Sequence, residues 1–564
     1  MVTAIETPFG HSLPPFSPHA ITLHVPGWGV LEQYFEGRPE FTSRIKSLYP
    51  RFGPFNQTQA LIGAILSRLP AEQMCFVFLN KDSAQTCKEF ACSSDRKDDA
   101  ASADEVSIRA FDFRFRVFAT VFPAARTKTI IGFWRDSGTA VSTRFAEDCL
   151  KHIDQLKEVP LESDPSGLPT TIAYEILKGR IAELLERAPS SQHSVKVSPD
   201  DVYLFQTGMS SIYLTHLYLS ATRPGTTILY GFAFHSTPHI FEKYGANTSH
   251  FEWFGRGADL ELEALESFAE AELAAGRQIQ ALWAEFPTNP NLTTPSLKRL
   301  RTIADRYSFP VIIDDTVATF INVDLLGDAG TDLLTTSLTK SFSGYADVMG
   351  GSIVLNPASK HYPLLKDTFT KHYTNDLYFA DAEILEKNSR DFLQRTTTLN
   401  RNAQALASYL SSPVFAHQVE QIHYPTTLPT SKTNYDANLR SPSEEFPNPG
   451  YGCLLSIEFK ALEQAIAFFE NIPLHCGPHL GAHRTLVLPY PRLLMALGKT
   501  DDVIVKKGGM NERYIRVSVG LEDEQDLIER FQQAMLKADE IVKRKGANRD
   551  VVEEAACIAA STLT

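Results

Sequence analysis

Lys340 lies in a segment whose composition is typical of a ligand site. Residues 335–351 read TTSLTKSFSGYADVMGG, so one lysine is set among serines, threonines and glycines. The run Asp332-Leu-Leu-Thr-Thr-Ser-Leu predicts a buried strand entering a turn, which would carry Lys340 into the interior. A buried amine is costly unless it is neutralised, paired or covalently bonded, and a Schiff base with a carbonyl compound achieves the last of these. The alternative is an ordinary surface lysine.

Asp314 could be the acidic partner of an aldehyde cofactor held by Lys340. It ends the predicted strand Val311-Ile-Ile-Asp. Pyridoxal phosphate requires an amine for its aldehyde, an anion for its ring nitrogen, donors for its phosphate, an apolar face for its ring and a cation for the substrate carboxylate. Lys340 and Asp314 match the first two requirements. A strand-end aspartate is also a common turn former or helix cap, and that alternative stays open here.

Two segments could donate hydrogen bonds to a phosphate. Thr207-Gly208-Met209-Ser210 joins a predicted strand to a predicted helix, and N–H groups at a helix start point at whatever lies ahead of it. Ser337 and Thr339 alternate before the lysine, so both hydroxyls could lie on one side of the chain. Hydroxyls in loops often only cap backbone groups, which is the competing interpretation.

The elements that must position these residues alternate between strand and helix. Strands are predicted at 201–205, 226–230, 280–286 and 310–314, and helices at 172–187, 210–220, 261–275 and 296–307. This order favours an α/β fold with a mostly parallel sheet covered on both faces. Ligands of such sheets bind beyond the carboxyl ends of the strands, where Gly208, Asn289, Asp314 and Lys340 all fall.

The chain is predicted to contain three parts. Residues 1–150 form an N-terminal extension with a small α+β module, 151–424 the large domain and 425–564 a smaller α+β domain. Because residues 425–450 are rich in proline and serine, they are predicted to include a long surface loop.

Composition argues against several classes of partner and location. The net charge of −13 opposes binding to nucleic acid or to an anionic membrane. Neither a membrane-spanning apolar run nor a signal peptide is evident, and the seven cysteines form neither a metal site nor a disulfide framework. A cytoplasmic protein without a metal is expected.

Four motifs of this chain, in the order that the family has them, resemble those of the Cys/Met-metabolism family of pyridoxal phosphate enzymes. They are Ser337-Leu-Thr-Lys340 with the glycines that follow it, Thr207-Gly-Met-Ser210, Pro287-Thr-Asn-Pro290 and Arg516-Val-Ser-Val-Gly-Leu-Glu522. Within the family the chain most resembles fungal cystathionine γ-synthases. The resemblance implies fold type I with a seven-stranded large domain, pyridoxal 5′-phosphate as cofactor, and a homodimer or homotetramer with shared active sites.

The resemblance also implies a role for each matching residue. Lys340 is expected to bind the cofactor aldehyde and then to move protons between the substrate's α, β and γ carbons, while Asp314 pairs with the ring nitrogen. Arg516 is expected to bind the α-carboxylate of an amino-acid substrate through two parallel hydrogen bonds. The other cofactor contacts fall to Gly208, Met209, Asn289, Ser337 and Thr339.

This chain departs from the family pattern at four positions. The ring-stacking tyrosine of the family corresponds to Phe234, which keeps an aromatic face and loses the hydroxyl. Asp315 replaces an asparagine, and His479 replaces a serine near the substrate. The family's Tyr-X-Arg pair, which reaches the phosphate of the neighbouring subunit, has its candidate in Phe133-Trp-Arg135, although Arg135 is equally well explained as a surface residue.

The leading hypothesis is γ-replacement on an O-acyl-L-homoserine by L-cysteine, giving L-cystathionine for methionine biosynthesis. His479 and its neighbours could instead admit sulfide or an enolisable keto acid in a specialised pathway, and a cystathionine lyase is a further alternative. A catalytically silent binding protein has no need of Lys340, Asp314 and Arg516 together. A nicotinamide dehydrogenase is disfavoured because no Gly-X-Gly-X-X-Gly opens a helix after a strand.

Overall fold

Three β-sheets organise the chain in the computed structural model, which describes residues 7–50, 52–162, 168–245, 250–328, 330–497 and 500–561. The first sheet is antiparallel with the order β1-β3-β2-β4, the second has seven strands and the third has five. Strands of the first sheet are β1 (Gln73–Phe78), β2 (Ser107–Asp112), β3 (Arg116–Pro123) and β4 (Lys157–Val159). The helices of the chain up to residue 150 are Val30–Phe35, Pro39–Thr42, Gln57–Leu66, Lys81–Cys92, Thr127–Ser137 and Thr143–Leu150.

The seven-stranded sheet is mostly parallel and confirms the predicted α/β fold. Its strands are β5 (Val202–Phe205), β6 (Thr226–Tyr230), β7 (Phe251–Phe254), β8 (Ile279–Glu285), β9 (Val311–Asp314), β10 (Leu333–Thr336) and β11 (Gly351–Leu355). The order is β5-β11-β10-β9-β8-β6-β7, and only β11 runs antiparallel to its neighbours. Every residue of β5, β6, β8, β10 and β11 is buried, as expected for a sheet with helices on both faces.

Helices cover both faces of this sheet because each presents one apolar side. In the helix Leu297–Arg306 the buried residues are Leu297, Leu300, Ile303 and Ala304, which recur at helical spacing. The other helices of this part are Ala173–Leu185, Gly208–Thr222, Ser236–Lys243, Leu262–Ala274, Tyr362–His372, Phe379–Asn388, Phe392–Leu410 and Pro429–Asp436. The helices and strands predicted from the sequence here lie within two residues of the observed bounds.

The third sheet belongs to the C-terminal part of the chain. Its order is β12-β13-β16-β15-β14, and the pairing is antiparallel except between β14 and β15. The strands are β12 (Val419–His423), β13 (Leu454–Phe459), β14 (His475–Cys476), β15 (Leu486–Leu488) and β16 (Tyr514–Ser518). The helices are Leu462–Asn471, Tyr490–Leu497, Thr500–Lys507 and Glu524–Ser561.

The segment 425–450 is only partly the surface loop that its composition predicts. It includes the helix Pro429–Asp436, and the Arg440 side chain after it is buried. The guanidinium of Arg440 donates to the carbonyls of Leu185, Arg187, Phe320 and Val323. Backbone acceptors from distant segments therefore hold this stretch against the large domain, and a composition rule cannot detect such contacts.

Residues 8–50 lie against the C-terminal domain rather than within the four-stranded sheet. Val25 N–H donates to the carbonyl of Cys476 (2.7 Å), and Trp28 N–H donates to the Glu470 carboxylate (2.7 Å). Arg492 forms an ion pair with Glu32 (2.7 Å). The N-terminal segment thus packs against the C-terminal part of the chain. The division of the chain into domains at residues 150 and 424 stays a prediction.

No helix in the described part of the chain is long and apolar enough to cross a membrane. The described cysteines are free thiols, and the described residues include no cluster of histidine, cysteine, aspartate and glutamate side chains suited to a metal ion.

Candidate active site

The carboxyl ends of three parallel strands meet at one cavity. Register places Glu285 of β8 beside Asp314 of β9, and Asp314 beside Thr335 of β10. The turn after β10 brings Lys340 to the same place, and β16 contributes Arg516 from the C-terminal sheet. About 820 Å³ of space between atoms, part of it open to solvent, lies among these side chains. Nearly all the residues predicted to form the site line this cavity: Gly208, Met209, Phe234, Asn289, Asp314, Ser337, Thr339, Lys340, His479 and Arg516.

Lys340 is half-buried, and its amine faces two ring systems. Nζ donates a hydrogen bond to the Tyr49 hydroxyl oxygen at 3.3 Å and lies 3.5 Å from Nδ1 of His479. It also sits 5.3 Å from the centroid of the Tyr49 ring, within the range of a cation–π contact. These contacts hold the amine at the cavity, where an aldehyde could reach it.

Two neighbouring carboxyl groups lie at the floor of the cavity. Burial raises the pKa of Asp314, and burial together with the charge of Asp314 raises the pKa of Glu285 well above its usual range. Two carboxylates this close cannot both ionise easily, so Glu285 is the one kept neutral. Asp314, which accepts the Thr316 N–H (2.9 Å), remains available as an anion for a cationic ring nitrogen.

Glu285 also orients two predicted site residues, and the sequence reasoning missed it. Its carboxyl oxygens accept the backbone N–H of Phe234 (2.6 Å) and of Asn289 (2.9 Å). Phe234 is thereby fixed with its aromatic ring along the cavity, and Asn289 beside it. The signal was present, since Glu285 lies one residue before the end of the predicted strand 280–286, close to the position that Asp314 has in its own strand.

A tight turn prepares the start of the helix Gly208–Thr222 for an anion. Thr207 caps the helix by accepting from Ser210 N–H (2.9 Å), while Ser210 Oγ accepts from Thr207 N–H (3.0 Å). Gly208 lies so close to Ser337 that a Cβ atom would meet that side chain at 2.7 Å. The helix start and the turn after β10 therefore approach as closely as backbone allows, and together they form a place for a phosphate.

Thr339 is placed differently from Ser337. Its hydroxyl donates to the Gly350 carbonyl (3.1 Å) and accepts from Gly350 N–H (3.0 Å). Thr339 thus closes the turn around Lys340, in keeping with the backbone-capping alternative. It still lines the cavity, so its assignment to the phosphate stays a prediction.

Arg516 is buried and fixed by three groups. One terminal nitrogen donates to the amide oxygen of Asn289 (3.2 Å), and the other donates to the carbonyl of His479 (2.9 Å). The guanidinium also lies over the Tyr490 ring, 4.7 Å from its centroid. A planar cation held in this way, facing a cavity with Lys340, is suited to a carboxylate.

His479 presents a neutral imidazole to Lys340. Burial, followed by the charges of Lys340 and Arg516, lowers its pKa well below the usual value. Its backbone adopts a φ of 144°, a conformation that residues other than glycine rarely take. Nε2 is buried without a hydrogen-bond partner among the described residues. The imidazole of His479 is therefore mostly uncharged and can accept a proton beside the amine of Lys340.

Arg135 does not lie among the described residues that line the cavity of its own chain. It belongs to the helix Thr127–Ser137, and its neighbour Phe133 is buried against Tyr213 and other rings. Whether Arg135 reaches a neighbouring subunit stays a prediction.

Tyr49 was missed by the sequence reasoning, although Tyr49-Pro-Arg has the Tyr-X-Arg spacing that was sought at residues 133–135. Arg51 itself lies outside the described residues.

Comparison with known proteins decides the family. The model of the family described as Cys/Met metabolism PLP-dependent enzyme matches residues 195–536, more than half of the chain. The chain belongs to this family. A second model, the N-terminal domain of fungal trans-sulfuration enzymes, matches residues 57–142 of this Cys/Met metabolism protein. The predicted resemblance is thus confirmed, together with pyridoxal phosphate as the cofactor.

Individual relatives agree with this assignment. A cystathionine gamma-synthase-like protein, ankD, of Aspergillus thermomutatus is 32% identical over 561 residues, covering 94% of this chain and 95% of the relative. The cystathionine gamma-synthase of Neurospora crassa is 29% identical, covering 94% of this chain and 98% of the relative. The crystal structure of cystathionine gamma synthase from Xanthomonas oryzae pv. oryzae has a TM-score of 0.52 at 20% identity, covering 65% of this chain and 86% of that one, and shows the common fold.

The residues of this Cys/Met metabolism protein are compatible with pyridoxal phosphate. Lys340 offers the amine, Asp314 the carboxylate and Phe234 the aromatic face, all on one cavity. The Gly208–Ser337 approach leaves no room for a Cβ atom and exposes helix N–H groups where a phosphate would be held. Each chemical requirement of the cofactor therefore has a matching group on the same cavity.

Proposed function

We propose that the protein catalyses γ-replacement on an O-acyl-L-homoserine, with L-cysteine as the incoming nucleophile and L-cystathionine as the product. The observation that carries the proposal is the convergence of Lys340, Asp314 and Arg516 on one cavity. These groups supply a base, a counter-ion for the cofactor ring and a carboxylate-binding cation. The names of the fungal relatives support cysteine as the nucleophile.

Each residue has a defined task in this reaction. Arg516 binds the substrate α-carboxylate, because its guanidinium is already oriented by Asn289 and His479. Lys340 Nζ removes the α proton and later delivers or removes protons at the β and γ carbons. Asp314 keeps the ring nitrogen of the cofactor cationic, so that bound pyridoxal phosphate can stabilise negative charge on the substrate carbons. Glu285, held neutral, adds no second negative charge beside Asp314.

A second candidate is γ-replacement by a carbon nucleophile, such as an enolisable keto acid. The neutral imidazole of His479 favours it, since Nδ1 lies 3.5 Å from Lys340 Nζ and could accept a proton from a carbon acid. Phe234 also favours it, because the cavity lacks a phenol at this position, where most family members have one. Both features are departures from the family pattern that could change which nucleophile the site accepts.

A competition experiment tests the proposal. Purified enzyme loaded with pyridoxal phosphate receives O-acetyl- or O-succinyl-L-homoserine with equimolar cysteine, sulfide and a keto acid, and mass spectrometry identifies the products. Cystathionine as the main product supports the first candidate, and a carbon–carbon adduct supports the second. Keto acid and ammonia alone, without any adduct, would contradict γ-replacement and favour a lyase.

Lys340→Ala is the control, because it removes the amine together with the methylene chain that carries it. It is expected to give no product and no visible absorbance that responds to borohydride. Wild-type protein that lacks this absorbance would instead favour the catalytically silent alternative. We also propose that the active unit is a homodimer or homotetramer, which size-exclusion chromatography with light scattering would determine.

A further inference from the structure

An apolar recess adjoins the cavity that contains Lys340. Tyr49, Phe234 and Arg516 line both spaces, whereas Lys340 and Asp314 are not among the described residues that line the recess. About 310 Å³ of space between atoms, part of it open to solvent, lies in the recess. Its other lining residues are Phe52, His235, Pro478, Tyr490, Leu493, Leu494 and Leu497. A group bound beside the proposed substrate site could therefore extend into a mostly apolar space.

Packing between the N-terminal segment and the C-terminal domain fixes two walls of the recess. The helix Tyr490–Leu497 carries the three leucines, and Arg492 of this helix pairs with Glu32 (2.7 Å). Phe52 packs edge-on against Phe35, with ring centroids 4.9 Å apart. These contacts hold the helix and the Phe52 ring from outside the recess, as is typical of a preformed binding site.

The recess has few groups that could bind a second charged part of a ligand. The described residues that line it include no aspartate, glutamate or lysine. The guanidinium of Arg516 already donates to Asn289 and to the His479 carbonyl, and it is proposed to bind the substrate α-carboxylate. An ammonium group in the recess would lose water without gaining a carboxylate, whereas an alkyl group is stabilised by leaving water.

We propose that the recess is a subsite for an alkyl group of the incoming nucleophile, so that γ-replacement extends beyond cysteine to nucleophiles with a short alkyl chain. The inference rests on the proposed function for the reaction itself. The nucleophile loses one proton and bonds through sulfur or carbon to the γ carbon. The acyl group leaves with the electron pair of the C–O bond and, with that proton, becomes a carboxylic acid. The recess recognises the alkyl chain, which sulfur and carbon nucleophiles can both carry.

Binding of the corresponding products tests the subsite without turnover. S-methyl-, S-ethyl-, S-propyl- and S-butyl-L-homocysteine share one amino-acid head and differ only in the chain that would enter the recess. Isothermal titration calorimetry of the enzyme loaded with pyridoxal phosphate measures their dissociation constants, and mass spectrometry afterwards confirms that each ligand is intact. We expect the affinity to rise about fourfold with each added methylene, equivalent to about 0.8 kcal/mol.

Leu497 is suited to narrowing the recess, because it is the last residue of its helix and only partly buried. Leu497→Trp should lower the affinity for the S-butyl ligand at least tenfold relative to the S-methyl ligand. Leu497→Gln places a polar amide in the recess and should reduce the gain per methylene. The control is Leu536→Trp, which makes the same exchange where the leucine is 59% exposed and should keep the full gain. Melting temperatures show which variants are folded.

A competition assay identifies the atom that reacts. The loaded enzyme receives O-acetyl-L-homoserine with equimolar cysteine, 1-butanethiol and 2-oxohexanoate, and mass spectrometry measures the products. A thioether with butanethiol assigns the subsite to sulfur nucleophiles, and an adduct with the oxo acid assigns it to carbon nucleophiles. In either case Leu497→Trp should lower the alkyl product relative to cystathionine.

Two results would overturn the inference. One is an equal affinity for all four S-alkyl ligands, and the other is a gain per methylene that Leu497→Trp leaves intact. If the affinity rises with chain length but no γ-replacement product forms with any nucleophile, the proposed function fails and the subsite stands. If cystathionine forms and the affinity does not rise with chain length, the subsite fails alone.

Discussion

Nδ1 of His479 lies 3.5 Å from Nζ of Lys340, and the carbonyl of the same histidine accepts a hydrogen bond from Arg516. One residue thus contacts both the proposed base and the proposed carboxylate-binding cation. Its unfavourable φ of 144° is compatible with this double role, because both contacts fix the backbone and the ring at once.

Replacing His479 should change the choice of nucleophile more than the binding of the amino acid. His479→Ser keeps the carbonyl that Arg516 needs and removes the imidazole from the amine. We expect the ratio of cysteine product to keto-acid product to rise about tenfold, equivalent to about 1.4 kcal/mol in relative barrier. Competition assays with mass spectrometry measure this ratio.

His417→Asn is the control for this substitution, since His417 pairs with Asp539 away from the cavity.

Because the pKa of His479 lies well below 6.5, the imidazole is already neutral between pH 6 and 9. Between pH 6 and 9 the pH profile of kcat/KM should therefore have the same shape in His479→Ser as in the wild type. The disappearance of a limb near pH 6.5 would show that His479 titrates there.

Arg516→Lys should weaken substrate binding although it retains the positive charge. An ammonium cannot donate to Asn289, to the His479 carbonyl and to a carboxylate in one plane, as a guanidinium can. We expect kcat/KM for the O-acyl-homoserine to fall about 10- to 100-fold, mainly through KM, as for the loss of one hydrogen bond between charged groups. Steady-state kinetics provide the measurement.

Arg513→Lys provides the comparison, because Arg513 donates to Glu458 and Lys460 near the start of the same strand. It should leave KM near the wild-type value. An equal rise of KM in both variants would indicate a general effect on β16 rather than loss of the carboxylate contact.

Gly208→Ala should reduce the affinity for pyridoxal phosphate. The new Cβ would lie 2.7 Å from Cβ of Ser337 and 2.8 Å from its Oγ, so the helix start and the turn after β10 must separate. Overpacking of this kind costs about 1–3 kcal/mol, which predicts a dissociation constant raised about 5- to 150-fold. Equilibrium dialysis of the cofactor-free enzyme measures it.

Gly179→Ala adds the same methyl group within the helix Ala173–Leu185, where nothing lies within 4 Å of the new atom. This variant should bind the cofactor normally and be slightly more stable, since alanine favours a helix. Normal cofactor affinity in Gly208→Ala would disprove the phosphate cradle at the helix start.

Asp315→Asn should remove a pH dependence of stability. Burial raises the pKa of Asp315 to about 8, although its carboxylate accepts a hydrogen bond from Thr336 (2.6 Å). The folded protein therefore holds this proton more tightly than the unfolded chain does. Its contribution to stability is complete below about pH 4 and is lost as the pH rises towards 8, by up to about 1.4 kcal/mol per unit.

Melting temperatures of the two loaded enzymes from pH 5 to 8 test this sign. The difference in favour of the asparagine variant should grow as the pH rises, whereas Asp367→Asn, which removes an exposed carboxylate paired with Lys371, should show no such trend. A difference that stays constant from pH 5 to 8 would mean that Asp315 is already ionised in the folded protein.

Residues close together in the sequence largely specified the α/β fold and the proposed catalytic pair, Asp314 and Lys340. The alternation of buried strands and amphipathic helices fixes which side chains stand at strand ends, and parallel strands bring those ends to one edge. Asp314 and Lys340 could therefore be placed together, and motif spacing added Gly208, Asn289 and Arg516. Glu285 obeyed the same rule and was overlooked.

Only tertiary structure revealed what lies against Lys340. Tyr49 stands 291 residues away along the chain, and nothing in its local pattern indicates that residues 8–50 pack on the C-terminal domain. The burial of Arg440 against carbonyls from two distant segments could not be predicted for the same reason. Sequence determined the residue types, the periodicity and the cofactor chemistry, because these are local properties. The packing of distant segments decided which phenol and which imidazole face the amine, because such contacts depend on the free energy of the whole fold.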